Sequence, residues 1–119
     1  MRVLFQSQRH FTIWKYLTSH GQLLLRSVPT SAERKRVEVL FRKVAAIKAG
    51  MELDELTIRD PSASELMTIS QQIGSPAAQI GRVFVIETST WNGYIVASEF
   101  ATAEDDGDYK TPSSLLIEA

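Results

Sequence analysis

The run "RVFVIETSTWNGYIVASEF", residues 82–100, constrains this chain more than any other stretch. Two segments rich in β-branched and aromatic residues, Arg82 to Thr88 and Tyr94 to Phe100, flank a short loop ending in Asn92-Gly93. Such side chains suit a pleated strand, and Asn and Gly tolerate the positive φ that tight connections require. The pattern predicts a β-hairpin. Its loop is longer than two residues, which leaves the turn type open.

A second strand pair is expected near the N-terminus. "FTIWKYLT", residues 11–18, is followed by the polar cluster Ser19-His20-Gly21 and then by Gln22 to Val28. The returning segment carries Leu23, Leu24 and Leu25 in succession, apolar on both faces, as in a strand at the middle of a sheet. Pro29 ends it, because a residue without an N–H cannot join a ladder.

The stretch "SAERKRVEVLFRKVAAIKAG" is ambiguous. Val37, Leu40, Phe41, Val44 and Ile47 fall at helical spacing, with Ser31 as a cap and Gly50 as a stop. Yet "RVEVLF" also alternates Val37, Val39 and Phe41 against Glu38, Leu40 and Arg42, as a strand would. "DELTIRD" is a short strand candidate. The clearest helix is "DPSASELMTISQQIG", with Asp60 as cap, Pro61 in the first helical position and Gly74 at the stop. "AEDDGDYKTPSS" reads as an acidic surface loop before a short apolar tail, Leu115 to Ile117.

At 119 residues the chain fits one domain, 1–119, with a single hydrophobic core. Without cysteine, that core has no disulfide or thiolate metal site to support it. The N-terminal apolar run is too short for a secretory signal, and no stretch approaches a bilayer span, so the cytoplasm is the expected location and no membrane contact is expected. Charge is lopsided. Residues 1–60 hold eleven Lys or Arg against six Asp or Glu, whereas residues 61–119 hold two against eight, within a net charge of -1. The two halves are expected to neutralise one another across the fold.

Taken together, "FTIWKYLTSHGQLLLRS", "RVEVLF" and "GYIVASEF..EDDGDY..PS" resemble a family of small uncharacterised bacterial proteins, over about two thirds of the chain. The resemblance implies a strand rather than a helix over Arg36 to Ile47, and with it a mainly antiparallel sheet. It implies no activity. The fold class expected is therefore α+β: one curved, mainly antiparallel sheet of five to seven strands, with one principal helix packed on it.

No catalytic constellation emerges. Ser19 and His20 are adjacent, and adjacent strand side chains point to opposite faces, which argues against a nucleophile and base pair. The acids of Glu104 to Asp108 lack the alternating ligands of a calcium loop, and no glycine-rich phosphate loop precedes a helix. No catalytic residue, metal or cofactor is expected. The basic run Arg34-Lys35-Arg36 sits in an expected loop, so nucleic acid is not the expected partner.

Aromatic residues offer more. Trp91 and Tyr94 bracket the hairpin turn, and exposed aromatics are enriched in recognition surfaces. Trp14 is read as a core residue of its strand. The expected function is a non-catalytic protein-interaction domain, an accessory or immunity-type protein that binds a protein partner or itself. Candidate contact residues are Trp91, Tyr94, His20, Tyr16 and Arg26. The alternative is a small-ligand or enzymatic domain whose pocket near His20 gathers Arg26, Tyr16 and Glu99.

Overall fold

A computed structural model describes residues 2–117. Ten strands form: β1 (Val3–Gln6), β2 (His10–Leu17), β3 (Gln22–Ser27), β4 (Arg36–Arg42), β5 (Ala46–Lys48), β6 (Glu52–Asp54), β7 (Thr57–Arg59), β8 (Arg82–Glu87), β9 (Asn92–Ala97) and β10 (Glu99–Asp105). Two helices, α1 (Ala63–Ile73) and α2 (Ala77–Ile80), lie between β7 and β8.

The strands make two antiparallel sheets of five rather than one curved sheet, so the architecture is α+β only in the broad sense. The first sheet has the order β1-β7-β8-β9-β5 and the second β10-β4-β3-β2-β6. The second run of the expected hairpin divides at Ser98. Its first part, β9, pairs with β8, whereas β10 crosses to the other sheet and pairs with β4. That division separates the two sheets, and no periodicity along residues 94–105 announces it.

The ambiguous stretch is extended over Arg36–Arg42 and Ala46–Lys48. Val39 and Phe41 face the core between the sheets, together with Phe11, Leu23 and Leu25 from the second sheet and Ile58, Phe84, Ile86 and Ile95 from the first. Phe41 and Phe84 meet edge to face across it, ring centroids 5.3 Å apart.

Alternate residues on β3 and β4 face outward, yet Leu24, Arg26, Glu38 and Leu40 are buried as well. They are covered by the segment that follows β10. Apolar character on both faces of "LLL" therefore has two causes, the core beneath and this covering segment above.

On the first sheet the outward residues Val83, Tyr94 and Val96 are covered by Ile69 of α1 and Ala77 of α2. The helix starts two residues later than the sequence suggests. Ser62, not Asp60, is the cap: its Oγ accepts from the Glu65 N–H, while Glu65 Oε1 accepts from the Ser62 N–H. Arg59 holds Glu65 with two bonds of 2.8 and 2.7 Å, which brings its carboxyl down to about 2. Gly74 ends the helix at φ 84°, a conformation that suits glycine.

The charge halves do pair. Lys35 meets Asp106, Arg36 meets Asp105, Arg42 meets Glu99, and Arg59 meets Glu65 and Glu87. Among the described residues no helix is long and apolar enough to cross a membrane.

Candidate functional site

The five residues singled out from the sequence do not converge. His20 is exposed in the turn between β2 and β3 at φ 62°, where its carbonyl accepts from the Lys43 N–H. Tyr94 is buried beneath the helices and lines a cleft of about 270 Å³ with Lys48 and Gln72. Trp91 packs against the central core and donates its indole N–H to the Glu52 carbonyl at 2.8 Å. Tyr16 is exposed on β2. Glu99, the remaining member of the alternative pocket, pairs with Arg42 on the edge strand β10.

The expected exposures of the tryptophans are reversed. Trp14 is 40% exposed, whereas Trp91 is partly buried. A β-bulge is the reason for the first. Ile13 stands opposite Leu25 and Lys15 opposite Leu24, so Trp14 is the extra residue on its strand. Bulges re-aim side chains, and here the indole lies over the Arg26 guanidinium, 4.8 Å from the ring centroid.

Arg26 belongs to a network that sequence reasoning missed. Its Nε donates to Glu38 Oε2 at 2.8 Å, and its two terminal nitrogens donate to the carbonyls of Tyr109 and Thr111. Arg36 clamps Asp105 with bonds of 2.9 and 2.8 Å and also donates to the carbonyls of Asp108, Thr111 and Pro112. Arg42 reaches the Leu115 carbonyl, and the Gln22 amide exchanges two bonds with the backbone of Ile117. Residues 106–117 thus form a strap across the second sheet, held largely by side chains that grip its carbonyls. The hydrogen bonds from Arg36 hold the Asp105 carboxyl below the usual carboxylate range. A Cβ at Gly107 would press on the Arg36 guanidinium, so glycine is needed where the strap turns away from β10.

The acidic run has structural work. Asp105 and Asp106 pair with Arg36 and Lys35, and Asp108 accepts from the N–H groups of Lys110 and Thr111. Between the strap and β2 lies a cleft of about 360 Å³, with Leu24 and Arg26 on the sheet, Trp14 on one side and Tyr109 to Ser113 on the other.

A different surface runs along α1. Ala63, Leu66, Met67, Ser70, Gln71 and Gly74 line one side of a groove of about 670 Å³, closed on the other by Pro76, Ala77 and Ala78. No charged residue lines it, and Met67 is 67% exposed.

His10, on β2 beside the edge strand β6 of the second sheet, sits between two acids, with Nδ1 2.5 Å from Asp54 Oδ1 and Nε2 3.0 Å from Glu52 Oε1. The bond to Asp54 first, and that to Glu52 second among the favourable contacts, raise its pKa above the ordinary 6.5. A histidine with a raised folded pKa stabilises fully below the unfolded value and loses that contribution as pH rises through the folded one. Amide exchange in β6, corrected for intrinsic base catalysis, should therefore increase over that window. His10→Gln should abolish the step, and an unchanged step in that variant would show that His10 does not clasp the edge.

Comparison of the chain with protein-family models, with curated proteins and with solved structures finds no match.

Proposed function

We propose that this chain is a non-catalytic protein-interaction domain that receives an amphipathic helix of a partner protein in the groove along α1. The observation that carries this reading is the uncharged lining joined to a two-thirds-exposed methionine, Met67. Exposed apolar surface of this kind marks interaction sites in folded proteins, and methionine adapts to varied apolar partners. Shape supports the choice of partner. The lining residues of α1 fall at positions 63, 66, 67, 70, 71 and 74, a continuous stripe along the helix. Its length is about 16 Å at the usual rise per residue, the span over which a helix presents two or three apolar anchors at i, i+3 or i+4, and i+7.

Site-specific photo-crosslinking in the native host tests the proposal. A benzophenone side chain at Met67 should crosslink one dominant partner peptide with helical apolar spacing. The same group at exposed Thr102 on β10 provides the comparison. Indistinguishable products from the two positions, or a Met67 product lacking helical apolar spacing, would overturn the reading.

A further inference from the structure

We infer that the cleft between α1 and β9 binds a small hydroxylated carboxylic acid, of the class of single-ring sugar acids. The cleft lies on the other side of α1 from the Met67 groove and shares no lining residue with it, so the two readings stand or fall separately.

The sheet supplies the floor. Lys48 on β5, Tyr94 on β9 and Val85 on β8 stand opposite one another in register, so their side chains form one row on the outward face. Asn92, two residues before Tyr94, continues that face. The roof is a stripe of α1: Ser64, Thr68 and Gln72 at successive i+4 positions, with Glu65 and Ile69 beside them.

Two polar groups in this cleft lack protein partners. Tyr94 is only 8% exposed, yet its hydroxyl has no hydrogen bond among the described residues. A tyrosine buried to that degree ordinarily satisfies its hydroxyl. Here that group is not sealed in by protein and opens on the cleft. Lys48, at the free edge of the first sheet, is the cleft's only cation among the described residues, and its ammonium has no acidic partner there. An anionic oxygen would receive a charge-assisted bond from it.

Glu65 sets how much charge the ligand carries. Its Oε1 accepts from Arg59 and from the Ser62 N–H, and its Oε2 accepts from Arg59, so this carboxylate is already balanced and leaves Lys48 to the ligand. One ammonium opposite an acid wall suits a monoanion. A dianionic phosphate would turn a second, uncompensated charge toward Glu65.

The remaining lining sets the body of the ligand. Gln72, Asn92 and Tyr94 can each donate and accept, and so can every hydroxyl of a sugar ring. Both amide side chains are exposed and have no hydrogen bond among the described residues. Ile69 and Val85 offer an apolar patch to the C–H face of the ring. At about 270 Å³ the cleft falls just below the usual range for drug-sized ligands, which fits one ring rather than a chain of them.

The test uses the full chain, labelled with nitrogen-15, and glucuronate and galacturonate as probes. At least one of the two acids should saturably shift the backbone amides of Lys48, Asn92, Tyr94 and Gln72. Methyl glucoside, which keeps the ring without the charge, and acetate, which keeps the charge without the ring, should each bind about tenfold more weakly or worse. Lys48→Gln should bring the acid down to the level of the glucoside and leave the glucoside unchanged. Tyr94→Phe keeps the ring that packs on Ile69 and Val96, so it should weaken acid and glucoside alike by several fold at an unchanged melting temperature. Absence of a saturable shift with both acids, equal affinity for acid and glucoside, or binding indifferent to Lys48→Gln would overturn the proposal.

Discussion

Replacing Glu38 by leucine is expected to lower stability by about 3–5 kcal/mol, the usual cost of leaving a buried charge without its partner. The carboxylate is fully buried, and the two guanidiniums beside it, Arg26 and Arg36, are 4% and 1% exposed. Arg26 and Glu38 face each other directly across β3 and β4. Without Glu38, both arginines would share one dry sheet face with only Asp105 and peptide carbonyls to balance them. The existing geometry is already stretched: Arg36 stands 3.7 Å from Glu38 Oε1, which has no hydrogen bond among the described residues, because the guanidinium is turned toward Asp105 and the strap. Chemical denaturation reads the loss directly. A cost below about 1 kcal/mol would place the network in water-like surroundings, where ion pairs contribute little.

A triple replacement separates charge from the strap. With Arg26→Met, Arg36→Met and Glu38→Leu together, no buried charge is orphaned, and apolar substitutes for buried ionic triads are often neutral or stabilising. Most of the stability should return. The carbonyls of Tyr109, Thr111 and Pro112 would nevertheless lose their donors, so amide exchange over residues 108–117 should rise even in a stable variant. Full protection there would mean that apolar contacts such as Leu116 against the sheet, rather than the arginines, hold the strap.

The strap also explains where sequence reading stopped. Strand periodicity made β2, β3, β8 and β9 legible, and Pro61 and Gly74 bounded the helix to within two residues. For β4 the residues alone were balanced between helix and strand, because Leu40 and Arg36 on the outward face are as buried as Val39 and Phe41 on the inward one. Double burial erases the alternation that marks a half-exposed strand. Nothing local reports the cause, since the covering residues lie about 70 positions later in the chain, as the Arg36 bond to Asp108 shows. Arg34-Lys35-Arg36 likewise reads as a solvated basic run, although its last member is among the most buried side chains. A usable signal was present in the pairing of a basic first half with an acidic second half, but it named no partners. Ser98, where the expected hairpin strand changes sheets, is an ordinary residue in an apolar run, so the second sheet stayed hidden.

The two tryptophans give the sharpest reversal, and Trp91→Ala is expected to cost about 3 kcal/mol, at the lower end for a large aromatic. The indole is wedged between Gly50 and Gly93: a Cβ on Gly50 would lie 2.8 Å from Trp91 Nε1, and one on Gly93 would lie 3.1 Å from its Cζ3. Its N–H bond to the Glu52 carbonyl ties the β8–β9 turn to β6 in the opposite sheet. Truncation would therefore remove packing against the core and a link between the sheets at once. Trp14→Ala removes a ring that is 40% exposed and makes one cation–π contact. Exposed contacts of that kind contribute about 0.5–1 kcal/mol, so stability should fall by roughly 1 kcal/mol. Denaturation midpoints of the two variants measure the difference, and acrylamide should quench Trp14 in the Trp91→Ala protein more than Trp91 in the Trp14→Ala protein. If Trp14→Ala were the costlier change, the bulge would be a core feature rather than a surface one.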